Sequence, residues 1–183
     1  HALEIIGADL DIRRTRAGAL LVGGIELSER DEGGTMSDWI LGQRRIAISE
    51  SKVRWNDEKR GAGELALANI RAVLENSGSR HRFGFTADPP RHLASRLDIR
   101  ADLHGESLSR LTHWRGTVYA DLRYIDLAAW RSWIDYPADV RSGSGSVRAW
   151  LGFEGDHLEY FTADVGLENA QARLRRDLPM LEL

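Results

Sequence analysis

The stretch RLDIRADL at residues 96–103 indicates the fold class of this chain. Apolar and charged side chains alternate along it without exception. Because successive side chains of a β-strand point to opposite faces, this alternation predicts a strand with one apolar and one solvated face, as is typical of antiparallel sheets. The apolar residues are Leu97, Ile99, Ala101 and Leu103, and the charged ones are Arg96, Asp98, Arg100 and Asp102.

The same alternation continues on both sides of this stretch. Phe83, Phe85 and Ala87 share one face of a predicted strand, and residues 117–123 form another. In that second strand the apolar face carries Val118, Ala120 and Leu122. Less regular alternation predicts further strands at 6–12, 20–27, 45–49, 52–55, 65–74 with a bulge near Asn69, 146–153, 157–165 and 169–174. The chain is therefore predicted to be mainly β, with about ten or eleven strands.

Two segments interrupt the period of two and predict short helices. Thr35, followed three residues later by Asp38, is typical of a helix start and predicts a helix over 36–43. Asp126 is a suitable N-cap for a second helix over 127–134. Trp39 in the first helix and Trp130 in the second have helical spacing from aliphatic residues, so we expect both to pin their helices onto the sheet.

The end of the chain predicts a long hairpin. Gly155 and Asp156 form a two-residue turn, in which glycine tolerates a positive φ. With this register Phe153 pairs with Leu158, and Trp150 is expected beside Phe161 on the same face. The Ser/Gly-rich residues 141–145, which precede the hairpin, are interpreted as a flexible connector, because no Gly-Lys-Ser follows to make a phosphate loop.

The predicted sheet is too wide for these helices to cover. Ten strands about 4.8 Å apart span about 45 to 50 Å, whereas a helix of eight residues is about 12 Å long. The sheet therefore either folds back on itself as a sandwich or barrel, or curls into a gutter whose apolar lining is left for a ligand. Periodicity does not choose between these two architectures.

Composition excludes several classes of protein. The chain has 183 residues, of which 42% are hydrophobic and 29% charged, as expected for a soluble chain of one or two domains. The formal net charge of -3 does not indicate a nucleic-acid binder. Because there is no cysteine, disulfides, thiolate nucleophiles and zinc ribbons are excluded.

The sequence carries no catalytic motif. The six histidines lack metal-ligand spacing, although His81, His92 and His104 could meet across strands. No G-x-S-x-G elbow occurs. The carboxylates that alternate with arginines on the predicted strands are typical of a solvated face with ion pairs. We therefore expect no enzyme activity, no metal and no cofactor. These carboxylates are Asp98, Asp102 and Asp121.

Tryptophan is abundant, with six residues in the chain. Core packing is the favoured interpretation, but aromatic faces also stack on sugars. A carbohydrate-binding β-sandwich would use Trp114, Trp150 or Tyr160 as a platform and would close its core.

Three long runs resemble the YhdP family of AsmA-like bacterial envelope proteins. They are DWILGQRRIAISESKVRWNDEKRG at 38–61, LALANIRAVLENSGSRHRFGFTADPP at 65–90 and WRGTVYADLRYIDLAAWRSWIDYP at 114–137. Together they cover much of the chain, and they contain structural signatures of a repeated β unit and no catalytic motif. The matching residues include Trp39, Gln43, Ile46, Trp55, Asp57, His81, Phe83, Pro89 and Pro90.

The resemblance implies a fold, a location and a function. Proteins of this family are similar to bridge-like lipid transfer proteins: long, anchored in the inner membrane by one N-terminal helix, with a periplasmic β-groove. Residues 1–183 would then be a single β-groove segment of a larger periplasmic protein, whose anchor lies outside this chain. The implied partner is phospholipid, moved between the inner and outer membranes, with no nucleic acid and no enzyme activity.

The implied fold is a curled antiparallel β-sheet that forms an elongated open groove with two short helices. Its expected lipid-binding residues, called the floor below, come from the three most regular strands. A closed core built from the same residues, and a purely structural scaffold of the envelope, remain the alternatives. We also expect the segment to self-associate through its open sheet edges. The floor consists of Phe83, Phe85, Leu97, Ile99, Leu103, Val118, Ala120 and Leu122.

Overall fold

The computed structural model describes residues 1–27, 34–107, 112–133, 139–173 and 181–182. These residues form one sheet of twelve strands, with two short helical segments named below and a 3-10 turn at residues 112–113. The strands are β1 (Ala2–Ile6), β2 (Asp9–Arg14), β3 (Leu20–Val22), β4 (Ile25–Leu27), β5 (Arg45–Asp57), β6 (Leu65–Ser77), β7 (Arg80–Asp88), β8 (Leu97–His104), β9 (Arg115–Asp126), β10 (Asp139–Glu154), β11 (His157–Arg173) and β12 (Leu181–Glu182). The helical segments are α1 (Gly34–Gly42) and a 3-10 helix (Ala129–Ser132).

The sheet is open and mostly antiparallel, which confirms the predicted fold class. From β5 to β12 each strand pairs antiparallel with the next one in sequence. β1 and β2 pair with β5 in parallel, β1 along residues 45–49 and β2 along residues 52–57. The N-terminal strands therefore do not form a simple meander with β5, because β1 and β2 both run parallel to it.

Residues with a left-handed backbone conformation lie inside strands that the sequence analysis predicted as separate segments. The predicted strands 45–49 and 52–55 are one strand, β5, with a bulge at Glu50 (φ 52°). The predicted strands 157–165 and 169–174 are likewise one strand, β11, with Asn169 at φ 50°. The bulge predicted near Asn69 is confirmed, since the register shifts between Ala68 and Arg71. A bulge bends a strand without ending it, so the break in alternation was misinterpreted as a strand end.

At the N-terminus, glycines divide two predicted strands. The predicted strand 6–12 is interrupted between β1 and β2, where Gly7 has a φ of 71°. The predicted strand 20–27 is a tight hairpin, with Gly23 and Gly24 at positive φ between β3 and β4. Positive φ at consecutive residues is typical of a two-residue hairpin turn.

The C-terminal hairpin matches its predicted turn but not its predicted register. Glu154 pairs with His157 and Phe153 with Leu158, as expected. Gly152 then pairs with Tyr160, so Glu159 is an extra residue on β11. As a result Trp150 opposes Thr162 and Leu151 opposes Phe161. The prediction that Trp150 and Phe161 share a face is wrong, because one extra residue moves every later side chain to the other face.

The Ser/Gly-rich segment at 141–145 is part of β10 and not a flexible connector. Its small residues permit close contact with β11. A Cβ atom added to Gly143, which has a φ of 125°, would lie 2.6 Å from Ala170 Cα. The glycines therefore indicate close approach of two backbones here.

The two helical segments lie near the predicted positions but differ in type. α1 confirms the helix predicted over 36–43 within two residues. The helix predicted over 127–134 is a single 3-10 turn at Ala129–Ser132, and residue 134 lies outside the described residues. Asp126 Oδ1 accepts a hydrogen bond from the Ala129 amide at 2.9 Å. Trp130 is buried as expected, whereas Trp39 is 50% exposed and does not pin α1 to the sheet.

Candidate functional site

The structure places all eight floor residues on one face of three adjacent strands. β7 contributes Phe83 and Phe85, whose ring centroids are 6.3 Å apart. In the register Phe85 opposes Ile99, which opposes Ala120, and Leu97 opposes Leu122. Each floor side chain is half-buried. A closed core would exclude these side chains from solvent. Among the described residues, only Leu122 at the edge of the floor packs against a buried cluster, and the rest of the floor has no second layer over it.

The apolar face extends well beyond the floor. Two rows of apolar residues cross eight neighbouring strands, β1 and β5 to β11, without a polar interruption. Sequence reasoning missed the outer parts of these rows, because bulges obscure the alternation in β5, β6 and β11. The first row is Ile5, Ile48, Ala72, Phe85, Ile99, Ala120, Ala149 and Ala163. The second row is Leu3, Ile46, Leu74, Phe83, Ala101, Val118, Leu151 and Phe161.

The opposite face, called the outer face below, is polar and carries ion pairs, as the alternation predicted. Arg80 donates to Asp102 with Nε and Oδ1 2.9 Å apart, across β7 and β8. Asp98 accepts from Arg100 on its own strand at 2.8 Å. Exposed pairs of this kind contribute little to stability. Their effect is to keep this face of the sheet hydrated.

One carboxylate of the sheet has a strongly shifted pKa. Asp88 accepts hydrogen bonds from Arg96 at 2.7 Å and from the Asn69 amide at 2.8 Å. These bonds lower the pKa of Asp88 to about 2. Because Asn69 is the bulged residue of β6, the bulge positions a side chain that binds the neighbouring strand.

Where β5, β7 and β9 end and β6 and β8 begin, apolar side chains cover the sheet and form what we call the tryptophan rim. Trp130 Nε1 donates to Leu93 O at 3.0 Å, and Trp133 Nε1 donates to Gly63 O at 3.1 Å. The 3-10 helix is thereby fastened to segments that precede β6 and β8. The buried members of this rim are Leu65, Leu93, Ala94, Ile125 and Trp130, and Trp55 and Trp133 pack against them.

A buried ion pair lies beside the tryptophan rim. Asp57 is 2% exposed and accepts hydrogen bonds from the Arg14 side chain and the Arg60 amide. Burial acts to raise the pKa of Asp57, but the hydrogen bonds from Arg14 and Arg60 outweigh it and lower the pKa overall. Arg14 also lies over the ring of Trp55, 6.0 Å from its centroid. The pair therefore joins β2 to the end of β5.

The opposite strand ends carry a buried polar cluster. Asn76 Nδ2 donates to the Ile40 and Gln43 carbonyls, so the end of α1 is bound to β6. Asn76 Oδ1 lies 2.7 Å from His81 Nδ1, and His81 Nε2 lies 2.9 Å from Gly105 O. Both ring nitrogens of His81 are thus engaged by protein atoms. His81, His92 and His104 do not come together as a metal site. Among the described residues there is no group of three or more side chains that could bind a metal ion.

The three candidate sugar platforms do not form one site. Trp114 is 4% exposed and stacks on His81 with ring centroids 5.1 Å apart. Trp150 is half-buried on the outer face and contacts Tyr119. Tyr160 covers Gly152, where a Cβ would lie 2.1 Å from its ring. The sheet is also not a closed sandwich, so the architecture expected for this alternative is wrong.

These features define the chain as a β-groove protein. Its open sheet has one continuous apolar face and a hydrated outer face. Among the described residues, no helix is both long and apolar enough to cross a membrane. The family model described as YhdP protein matches residues 1–183, and the chain belongs to this family. Membership is consistent with a protein of the bacterial envelope. No curated protein and no solved structure matches the chain.

Proposed function

We propose that this chain is a periplasmic segment that shields phospholipid acyl chains on its apolar face during transport between the inner and outer membranes. The observation that carries the proposal is the pair of apolar rows, which cross eight strands without a polar residue. In the full-length protein the segment is held at the inner membrane by an anchor outside this chain. The function requires no catalytic group.

The dimensions of the rows suit a path rather than a single binding site. Eight strands about 4.8 Å apart give each row a length of about 34 Å. One leaflet of a bilayer, half of a hydrocarbon core of about 30 Å, accommodates an acyl chain in about 15 Å. A row is therefore longer than one acyl chain, so a lipid can advance along the face without losing apolar contact.

The energetics also suit a path. Each methylene removed from water contributes about 0.8 kcal/mol, so a chain of sixteen carbons gains on the order of 10 kcal/mol. A bilayer offers the same lipid a similar gain, so transfer from the bilayer to the groove is nearly neutral. A site with strong net affinity would retain the lipid. The continuous apolar surface, with no polar side chain along the rows, favours movement.

Site-specific photocrosslinking tests the proposal, because neighbouring residues of β8 lie on opposite faces. A photoreactive amino acid at Ile99 lies in the floor, and the matched control at Arg100 lies on the outer face. In cells that make the full-length protein, we expect phospholipid adducts at position 99 and none at position 100. Native mass spectrometry of the gently purified chain should show co-purified phospholipid.

Equal labelling of positions 99 and 100, or no lipid adduct at either in a folded protein, would contradict the proposal. The second of these outcomes favours the scaffold alternative, in which the segment spaces or assembles envelope components and lipid does not enter. An Ile99→Asp variant of the full-length protein supplies a functional measure. It should fold but fail to support envelope lipid transport, because a charge in the floor removes apolar contact with the passing chain.

A further inference from the structure

The two ends of the strands differ in chemistry. The tryptophan rim is apolar and covered. At the opposite ends, two cavities of about 560 and 340 Å³ flank the β6–β7 turn. We call this edge the arginine rim, because the titratable side chains that line its cavities are mostly basic. They are Arg44, Arg45, Arg80, Arg82, Arg115, His104 and His113, against Glu75 and Glu106.

The larger cavity lies where the apolar and outer faces meet. Asn76, which lines it, opposes His81 in the register and therefore shares the face of Leu74 and Phe83. Arg45 of β5 and Arg82 of β7 also line the cavity. Both are register partners of Glu75 on β6, one on each side of it, and all three residues lie on the outer face. A group bound in this cavity is thus near Leu74 and Phe83, in the middle of the second apolar row.

The cations of the larger cavity exceed its anions. Glu75 is shared between Arg82, 3.0 Å away, and Arg45, 3.9 Å away. Arg80 is engaged by Asp102. Among the described residues the guanidinium of Arg44 has no ion-pair or hydrogen-bond partner. The four guanidinium groups of the cavity face two carboxylates, Glu75 and Asp102, so a net positive charge remains that a bound anion would neutralise.

We infer that the arginine rim binds the phosphate of a phospholipid headgroup while the acyl chains of the same lipid lie on the adjoining apolar face. The inference rests on the proposed function and adds an orientation to it: headgroups at the arginine rim, tails toward the tryptophan rim. Guanidinium groups bind phosphate oxygens through paired, charge-assisted hydrogen bonds, which fits a cluster of four arginines. The described residues of the tryptophan rim are apolar and covered, and they form no comparable cluster of arginines.

Three soluble probes separate the headgroup from the tails. The probes are dihexanoylphosphatidylglycerol, which has both parts, dihexanoylglycerol, which lacks the phosphate, and glycerol phosphate, which lacks the tails. Binding to the purified chain is followed by NMR, using the Nε–H signals of the rim arginines and the methyl signals of Ile99 and Val118. We expect the phospholipid to bind at least tenfold more tightly than either partial probe and to shift both sets of signals.

Matched variants locate the phosphate. Arg44→Gln/Arg82→Gln should weaken phospholipid binding at least tenfold and leave binding of dihexanoylglycerol unchanged. Arg123→Gln is the control, since Arg123 is 84% exposed on the outer face of β9, away from the rim. A circular-dichroism melt of each variant verifies that it folds.

The outcomes distinguish this inference from the proposed function. If both acyl probes bind equally and the double variant has no effect, the floor binds lipid and the headgroup site is wrong. If glycerol phosphate binds the arginines as tightly as the phospholipid, the rim is a site for free phosphate compounds and the inference is overturned. If neither acyl probe shifts the floor signals, the proposed function itself fails.

Discussion

The tryptophan rim and the floor lie on the same face of one sheet, but they differ in what covers them. At the rim, Leu93 and Trp130 are 3% and 7% exposed, because a 3-10 helix and the segment before β8 pack over the strand ends. Along the floor every side chain is half-buried, and among the described residues only Leu122 packs against the covering cluster of the rim. Apolar side chains at regular strand positions thus have two different environments in one molecule.

This difference shows that alternation predicts which face of a strand is apolar, but not whether other residues pack over that face. The cover at the rim comes from residues outside the regular strands, where the period of two gives no information. The sheet is open because the described residues outside the regular strands pack over the tryptophan rim and leave most of the floor uncovered. Two regions with similar side chains should therefore respond differently to the same substitution, and this expectation can be tested directly.

The largest contrast is expected when the same charge is placed in both regions. Leu93→Asp buries a carboxylate that has no partner, so it should lower the free energy of unfolding by about 4 kcal/mol or more. Ile99→Asp leaves the carboxylate partly hydrated and should cost about 1 to 2 kcal/mol. Urea denaturation followed by tryptophan fluorescence measures both. Equal losses, with Ile99→Asp as damaging as Leu93→Asp, would show that the floor is a closed core.

Two tryptophans provide a second contrast. Trp130→Ala removes a buried ring and its hydrogen bond to Leu93 O, so we expect a loss of about 3 to 5 kcal/mol. Trp39→Ala, in the exposed helix α1, should change stability by less than about 1 kcal/mol. Thermal unfolding of the two variants beside the wild type checks this. A larger loss for Trp39→Ala would contradict the exposure of α1.

The buried carboxylate beside the tryptophan rim predicts a pH dependence. Because the pKa of Asp57 is lowered in the folded state, its stabilising effect is present above the ordinary value of 3.8 and is lost as the pH falls below it. Asp57→Asn should cost about 2 kcal/mol near neutral pH, since Arg14 loses its charged partner. The difference between wild type and variant should stay constant above about pH 5 and shrink as the pH falls through and below 3.8. A stability difference that does not change with pH would contradict a stabilising ion pair between Asp57 and Arg14.

The smallest effect concerns the open edges rather than either face. β1 pairs with β5 on one side, and among the described strands it has no partner on the other. Unpaired backbone groups favour pairing with another copy, so the isolated chain should associate weakly at high concentration. Ile5→Lys, at an exposed position of β1, should reduce this association without unfolding the chain. Light scattering that finds a strict monomer for the wild type would argue against it.

The fold could be predicted where a single residue pattern determines the structure. Strict alternation identified β8 and its neighbours, and the Gly155 turn gave the correct first pairs of the last hairpin. The extra residue Glu159 could not be predicted, because nothing in its local sequence distinguishes a bulge from a regular pair. The parallel pairing of β1 and β2 with β5 depends on contacts far apart in sequence, which local patterns do not encode.

The candidate site was predicted in its centre and missed at its margins. All eight floor residues came from the three most regular strands. The apolar rows continue into β5 and β11, where left-handed residues such as Glu50 and Asn169 interrupt the period. The arginine rim had no sequence signal, because its arginines come from different strand ends that only the folded sheet brings together.

The side-by-side pairing of the strands also determines how the segment would respond to a mechanical force. If the full-length protein extends between two membranes, as the proposed function requires, tension would act along the row direction, perpendicular to the strands, and would pull on the inter-strand hydrogen bonds. Bonds loaded in this direction separate one after another, beginning at a strand end, rather than resisting together. The register joins β10 to β11 through fourteen pairs but β8 to β9 through eight. Under such a load fewer pairs must break to separate β8 from β9, in the middle of the floor, than to separate the two strands of the long hairpin.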